Sequence, residues 1–279
     1  MSLLRQTDFL IRVSLGLEPG FQTEYKFGSA PSNRAGIEDV WDGANGTNLA
    51  YTYPFASSAG TWTCSSSNSG DTTQVTWGVI TEDGSGNWNY ENVAVTLQGT
   101  TQVNLSPTSG DSIIRANRGW NSGAAAFAGD VYLYESDTTA SVAGVPDNVT
   151  TTGKAIILNG EEQTLQCVYT IPDSMPSVKG MPAISSVSEA LLLQYRAGIV
   201  TSNKNGNDAI FALRAREDGG VFRTQDKTGA GSLGELLMTH DFRGGQRFIP
   251  KTDIVLRKVS SDVSFSTNGR FDFLLCGTP

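Results

Sequence analysis

The sequence is poor in the residues that most metal-dependent and covalent chemistry requires. It has one histidine, His240, and three cysteines, Cys64, Cys167 and Cys276, which lie about a hundred residues apart without a CxxC pair. A single histidine excludes metal sites built from several imidazoles, and widely spaced cysteines indicate neither a zinc site nor a disulfide framework. We expect the thiols to be buried and unpaired, no cofactor to be bound, and the protein not to be an enzyme.

Charged residues and long apolar segments are also scarce. Asp, Glu, Lys and Arg make up 17% of the 279 residues, and the formal net charge is -8. Because an acidic chain repels a phosphate backbone, we expect no nucleic-acid partner. Arg5, Asp8 and Arg12 interrupt the apolar start of the chain, and no stretch approaches the roughly 18 apolar residues of a membrane span. We therefore expect neither a signal peptide nor a membrane partner.

Small hydroxyl residues and glycine are abundant instead. Ser and Thr occur 28 times each and Gly 31 times, a composition that favours strands and turns over helix interiors. The segment TQVTWGVI alternates apolar and polar residues, the turn EDGSGN follows, and WNYENVAVTLQ alternates again. This pattern predicts a β-hairpin, and similar short segments recur about every ten residues.

The strand pattern predicts an all-β protein with two antiparallel β-sandwich or jelly-roll-like domains behind an N-terminal arm. We place the arm at residues 1–40, because its apolar cluster and aromatic segment differ from the regularly spaced short strands and turns that follow. The first sandwich is expected at 41–145. The second, with about eight strands, is expected at 146–279, after a segment that lacks aromatic residues.

Four short motifs each match part of a known functional motif but lack the other residues or elements that it requires. His240 precedes Asp241, but no GxSxG nucleophile turn accompanies them. The glycines of GAGSLG (229–234) lack the long helix of a dinucleotide site, and EDGSGN (82–87) lacks the glycine and glutamate of a calcium loop. One RGG (243–245) is too little for an RNA-binding tail. We interpret all four as loops, turns or structural residues.

Two further groups leave alternatives open. Carboxylates that could include the acid/base pair of a glycan-cleaving enzyme are Glu38, Asp39, Asp42, Glu161 and Glu162. Among the tryptophans, Trp62, Trp77 and Trp88 lie in alternating stretches and are predicted core residues. Trp41 and Trp120 lie in segments rich in Gly and Asn and are the better candidates for surface contacts, including stacking on a sugar ring.

Several longer motifs occur in a fixed order along the chain. They are KFG followed by EDVWDG near the N-terminus, then IIRANRGWNSG, CVYTIP and FIPKTDIVLR. In this order they resemble a family of structural proteins from tailed, largely marine bacteriophages. The resemblance runs from about Gly20 to the C-terminus, while SAPSNRAGI, between KFG and EDVW, departs from the family's text. It implies a virion component that assembles in the host cytoplasm, and it brings no catalytic residues.

The sequence and the resemblance together predict a virion protein that decorates or cements the head as a symmetric oligomer, for which we expect a trimer. Its partners would be copies of itself and the major capsid protein or other virion proteins. The predicted interface residues are Phe9, Leu10, Phe27 and Trp41. The alternative is a fibre or receptor-binding module that recognises a host-surface glycan.

Overall fold

The structure, a computed structural model, describes residues 3–30, 37–43, 61–135, 141–147, 153–178, 180–200, 208–231, 237–261 and 266–279. Within these residues the chain forms one helix, α1 (Leu3–Ser14), and eighteen strands, so the all-β prediction is confirmed. The strands of the first half are β1 (Phe21–Ala30), β2 (Glu38–Asp39), β3 (Trp62–Ser66), β4 (Gln74–Glu82), β5 (Trp88–Thr96), β6 (Val103–Asn104), β7 (Ser112–Asn121), β8 (Val131–Glu135), β9 (Ser141–Val142) and β10 (Val145–Pro146). Those of the second half are β11 (Gly153–Ile157), β12 (Val168–Thr170), β13 (Ser186–Val200), β14 (Asp208–Glu217), β15 (Arg223–Gly231), β16 (Leu237–Phe248), β17 (Thr252–Ser261) and β18 (Ser266–Thr278).

A four-stranded and a five-stranded sheet, which we call the framework pair, hold both ends of the chain. Their strand orders are β1-β18-β13-β16 and β12-β17-β14-β15, and the short strand β2 pairs with β17 next to β12. All of these pairings are antiparallel. Tyr195, Phe271 and Phe273 of the first sheet share a buried cluster with Phe211 and Leu256 of the second. The two sheets therefore enclose one hydrophobic core.

A second pair of sheets, the inserted pair, lies in sequence between β2 and β12. Its strand orders are β11-β8-β3-β6 and β5-β4-β7. Trp77 and Val79 of β4 pack against Trp62, Cys64 and Leu133 of the facing sheet. The alternation in TQVTWGVI thus directs its large apolar residues into this core, as the sequence predicts.

The sheet β5-β4-β7 is buried on both of its faces. Its side chains Ile80, Trp88 and Ile114 belong to the buried cluster of the framework pair and not to the core of the inserted pair. The inserted pair is therefore packed against the framework, and the contact between the two is partly hydrophobic.

Strand β1 differs from the sequence-based expectation, because residues 21–30 belong to the framework and not to an arm. Along its whole length β1 pairs with β18, at the other end of the chain. Its even positions include Gln22, Glu24 and Lys26, which are buried. An alternating pattern predicts that polar positions face solvent, but here they face the interior. The sequence pattern therefore does not identify β1 as a strand of the framework.

The sheet boundaries also differ from the expected limits of the two sandwiches. Strand β2, inside the expected arm, belongs to the framework pair, and β11, inside the expected second sandwich, belongs to the inserted pair. The framework is thus formed by segments from both ends of the sequence. Linker composition cannot reveal such a division, because it carries no information on which distant strands pair.

The hairpin of β4 and β5 is confirmed, and its turn explains the EDGSGN motif. The Asp83 carboxylate accepts hydrogen bonds from the backbone N–H groups of Ser85 (2.8 Å) and Asn87 (2.9 Å) and from the Asn87 side chain (2.8 Å). These bonds, above all those from Asn87, lower the pKa of Asp83. The carboxylate therefore holds the turn, and in the described part of the chain no group of three or more residues would suit a metal ion.

The three cysteines are buried and free, as expected. Burial raises the pKa of Cys64 to about 12 and that of Cys276 to about 11. Since the thiolate is the reactive form, these thiols are inert at neutral pH. In the described residues no helix is long and apolar enough to cross a bilayer.

Candidate functional site

Helix α1 lies on the outer face of the sheet that contains β1 and β18. Val13 is fully buried there and contacts a cluster that includes Leu274 and Cys276. Phe9 packs edge-on against Phe21 with ring centroids 5.2 Å apart. One side of the helix is therefore fixed to the framework by apolar contacts.

The end of α1 is also fixed by its backbone. Gly16 adopts a positive φ of 72°, its N–H donates to the carbonyl of Val13 (2.9 Å), and the N–H of Leu17 donates to that of Arg12 (2.9 Å). This is the Schellman arrangement that ends many helices at a glycine. A Cβ on Gly16 would lie 2.1 Å from the carbonyl oxygen of Gly180, so the helix end is held against the loop after β12.

The opposite side of α1 and the turn after it present apolar side chains to solvent. Ile11, Leu15 and Leu17 are 52%, 64% and 55% exposed. Ile11 and Leu15 are four residues apart and so lie on one side of the helix. We call these three residues the helix patch. Grouped apolar side chains on a surface indicate an interaction site more than single ones do.

The four predicted interface residues have different surroundings. Phe9 and Leu10 are partly buried in α1 and pack on the framework, and Phe27 of β1 is partly buried. Trp41 is 3% exposed and packs with Val168 and Val255 inside its own chain. Trp41 is thus inaccessible to a neighbour, because its ring completes the core beside β12 and β17.

A network of charged groups joins the inserted pair to the framework. The carboxylate of Asp253 in β17 accepts hydrogen bonds from Arg115 of β7 (3.0 and 3.2 Å), from Arg216 of β14 (2.9 Å) and from the hydroxyl of Thr170 (2.6 Å). All four residues are buried. A buried carboxylate needs several such donors, so this network fixes one orientation of the two units.

A second set of buried polar groups lies between β1 and β7. Lys26 Nζ donates to the backbone carbonyl of Asn117, and burial, together with the charge of Arg118, lowers the pKa of Lys26 to about 7. The side chain of Asn117 forms two hydrogen bonds with the backbone of Thr170 (2.9 and 3.1 Å). The amide side chain thus extends the edge of β12 in the manner of a strand.

The carboxylates considered for glycan cleavage mostly serve the structure. Lys258 Nζ lies 2.6 Å from the Glu38 carboxylate, with both side chains completely buried, and Arg257 pairs with Asp39 at 2.5 Å. Asp42 accepts a hydrogen bond from the N–H of Leu165 (2.9 Å), and burial raises the pKa of Asp42 to about 7.

The other two carboxylates lie on the inserted pair. Glu162 accepts hydrogen bonds from the Asn121 side chain (2.5 Å) and from the N–H of Phe127 (3.1 Å), while Glu161 is exposed. All but Glu161 thus hold neighbouring segments together.

His240 is held by an aspartate on a neighbouring sheet and not by Asp241. Its Nδ1 lies 2.9 Å from the Asp226 carboxylate, which also accepts a hydrogen bond from the hydroxyl of Tyr195 (2.6 Å). The imidazole stacks on the Tyr195 ring at 5.5 Å. The histidine thus joins β13, β15 and β16. Of the GAGSLG glycines, Gly234 lies outside the described residues.

Comparison with known proteins gives weak matches only. No family model and no curated protein matches this chain. The solved structures that match it include the following two. The crystal structure of the STIV MCP is 11% identical, with 92% of this chain and 97% of that chain covered and a TM-score of 0.24. The infectious bursal disease virus VP2 subviral particle is 11% identical, with 97% and 78% covered and a TM-score of 0.18. TM-scores this low establish neither a shared fold nor a shared function.

Proposed function

We propose that the protein is a structural component of a bacteriophage virion, built on a jelly roll. Apart from the two-residue strand β2, the framework has eight strands, which in chain order are β1 and then β12 to β18. Counted in that order, the two sheets run 1-8-3-6 and 2-7-4-5. This is the strand order of the eight-stranded jelly roll, an architecture used by viral capsid and lectin domains. The strand order is the observation that carries the proposal, and the resemblance of the sequence motifs supports it.

The helix patch supports a proposal for the role within the virion. We infer that the protein decorates or cements the head as a symmetric oligomer, with a trimer as the expected state, in contact with the major capsid protein or other virion proteins. In a symmetric assembly every copy uses the same surface. Ile11, Leu15 and Leu17 of each subunit would therefore be buried against a neighbouring subunit. Phe9 and Leu10 would act indirectly, by holding α1 in place.

Self-association tests this role. The double variant Leu15→Glu with Leu17→Glu places two charges on the helix patch, while Val221→Glu changes a single apolar residue of similar exposure (70%) in the turn between β14 and β15. In sedimentation velocity we expect an oligomer for the wild type and for Val221→Glu, and a monomer for the double variant. A wild type that stays monomeric at every concentration, or a double variant that still forms the oligomer, would contradict the proposal.

The position in the particle is tested separately by imaging. We expect purified phage particles to carry the protein in many symmetric copies on the head lattice. Location on a fibre at low copy number would support the second candidate function instead.

That second candidate is recognition of a host-surface glycan by a fibre or receptor-binding module. The observation that favours it is a cavity of about 320 Å³ between Tyr25 and Trp120. Jelly rolls also serve as lectin domains, so this function fits the same framework.

A further inference from the structure

The cavity at Trp120 lies where β1 passes β7 and the segment before β12. It is lined mainly by Tyr25, Phe27, Arg118, Trp120, Gln163 and Thr164. We propose that this cavity binds one neutral pyranose ring of a glycan. The inference supplies a site and a ligand class for the second candidate function, and it is independent of a role in cementing the head.

Trp120 differs from the other tryptophans of the chain, all of which the structure describes. Trp41, Trp62, Trp77 and Trp88 are at most 3% exposed and lie in the cores, whereas Trp120 is partly exposed. Core packing therefore accounts for four indole rings but not for the fifth. A flat aromatic ring at a cavity wall offers a surface on which the C–H face of a pyranose can stack.

The ring of Trp120 is held in one orientation by Arg118. The Arg118 guanidinium lies over the indole with its carbon 5.1 Å from the ring centroid. Its Nε donates to the hydroxyl of Tyr90 (3.2 Å), and its Nη1 pairs with Glu24 at 3.4 Å. Because these contacts hold the ring in place, little conformational freedom would be lost on binding.

The cationic side chains at or beside the cavity have partners within the chain: Lys26, which lines it, is buried and donates to the carbonyl of Asn117, and two arginines pair with carboxylates. Arg118 is paired with Glu24, and Arg270, which lies over the Tyr25 ring at 5.4 Å, is paired with Asp272 at 2.7 Å. An anionic sugar such as a sialoside would need an uncompensated cation. The balance of charge therefore favours a neutral ring.

Gln163 and Thr164, which line the cavity, supply polar groups for the ring hydroxyls. The side chain of Gln163 is exposed and carries both a donor and an acceptor. The Thr164 hydroxyl accepts a hydrogen bond from the N–H of Gly119 (3.1 Å), so its own proton is directed elsewhere. Aromatic walls with a few polar groups are the usual composition of a small-ligand site.

The size of the cavity suits one ring with room for a second beside it. About 320 Å³ is near the lower end of the range of roughly 300–1,000 Å³ for ligand pockets. A neighbouring cavity of about 210 Å³ shares Tyr25 and Arg118 with it and adds Thr23 and Met181. The two cavities meet at Tyr25 and Arg118, so a disaccharide that reaches both should bind more tightly than a single sugar.

A glycan array with neutral, sialylated and sulfated glycans tests the inference on the full-length protein. We expect binding to at least one neutral glycan, followed by calorimetric titration with the matching disaccharide and its methyl monosaccharide. Trp120→Ala should weaken the affinity about tenfold or more, equivalent to about 1.4 kcal/mol, whereas Trp120→Phe, which keeps an aromatic face, should retain most of it. Gln163→Ala, at an exposed position, should weaken binding without affecting the fold.

Three results would overturn the inference. They are no binding to any neutral glycan, binding to acidic glycans only, and neutral-glycan affinity that Trp120→Ala and Gln163→Ala both leave unchanged. Thermal unfolding of each variant shows whether it is folded, and Gln163→Ala decides the question if Trp120→Ala is not. Because the cavity at Trp120 and the helix patch share no residue, loss of glycan binding with normal self-association would separate this inference from the proposed assembly role.

Discussion

At the scale of single residues, two buried groups near β1 have pKa values displaced toward neutrality from opposite directions. Burial raises the pKa of Asp42 from 3.8 to about 7 and lowers that of Lys26 from 10.5 to about 7. The two groups also attract each other electrostatically. The charged state of this region therefore changes near pH 7, where most surface carboxylates and amines do not titrate.

The stability of the fold should have a pH dependence of definite sign. Between about pH 4 and 7 the folded state binds the Asp42 proton and the unfolded state does not, so this group makes the free energy of unfolding decrease as pH rises. Between about pH 7 and 10.5 the unfolded state binds the Lys26 proton and the folded state does not, so stability increases with pH. Together the two groups contribute a minimum of stability near pH 7.

The variant Asp42→Asn isolates the acidic half of this dependence. Asn keeps an acceptor for the N–H of Leu165 but does not titrate, so its stability relative to the wild type should increase steadily from pH 4 to pH 7. Urea unfolding at pH 4, 5.5 and 7 measures the difference, with the exposed Asp218→Asn as control. A difference between Asp42→Asn and the wild type that is the same at all three pH values would refute the assignment.

At the scale of elements, helix α1 depends on Gly16 for two separate reasons. The residue has a positive φ, which L-residues with a Cβ adopt at a cost, and its hydrogen atom faces the Gly180 carbonyl. Gly86, in the hairpin turn, has a similar φ of 80° but open space around it. Substitutions at the two glycines therefore distinguish the cost of backbone strain, which both share, from the cost of a steric clash, which only Gly16 has.

We expect Gly16→Ala to destabilise the protein by more than Gly86→Ala. The second variant should lose about 1 kcal/mol from backbone strain alone, whereas the first adds a clash that must displace the end of α1. Chemical denaturation gives the two free energies, and limited proteolysis near residue 18 reports on the helix end. Equal losses for both variants would show that the contact with Gly180 does not constrain the helix.

Elements with local signals were predicted well, and those that depend on distant partners were not. The β4–β5 hairpin follows from alternation and from Asp83 in its turn, all within about twenty-five residues. Strand β1 carries buried Glu24 and Lys26, whose partners come from β7 and cannot be read from the sequence near β1. The helix patch was visible only as an apolar cluster, since its separation from Phe9 and Leu10 requires knowing that the segment is helical.

At the scale of the whole molecule, the framework closes around residues from both ends of the chain. Deleting residues 1–18 would remove α1 and the helix patch but leave β1 paired with β18. Deleting 1–40 would also remove β1 and β2, leaving the edge of β18 open and the buried Lys258 without Glu38. Open strand edges and unpaired buried charges both favour aggregation or unfolding.

We therefore expect the two deletions to behave differently. The 19–279 protein should retain a β-rich circular dichroism spectrum and a cooperative thermal transition, and should sediment as a monomer. The 41–279 protein should be insoluble or lack a cooperative transition. A soluble 41–279 protein that unfolds at the wild-type temperature would show that β1 is dispensable for the framework.

The pairing of β1 with β18 has a consequence for the biosynthesis of the protein. Phe21 lies opposite Cys276, so the first strand finds its partner only after β18 has left the ribosome. The strands of the inserted pair, which pair among themselves, are all complete by residue 157 and can fold while translation continues. The framework can close only after β18 has been synthesised, around an insert that is already formed, and its many long-range pairings make this the slow step of folding.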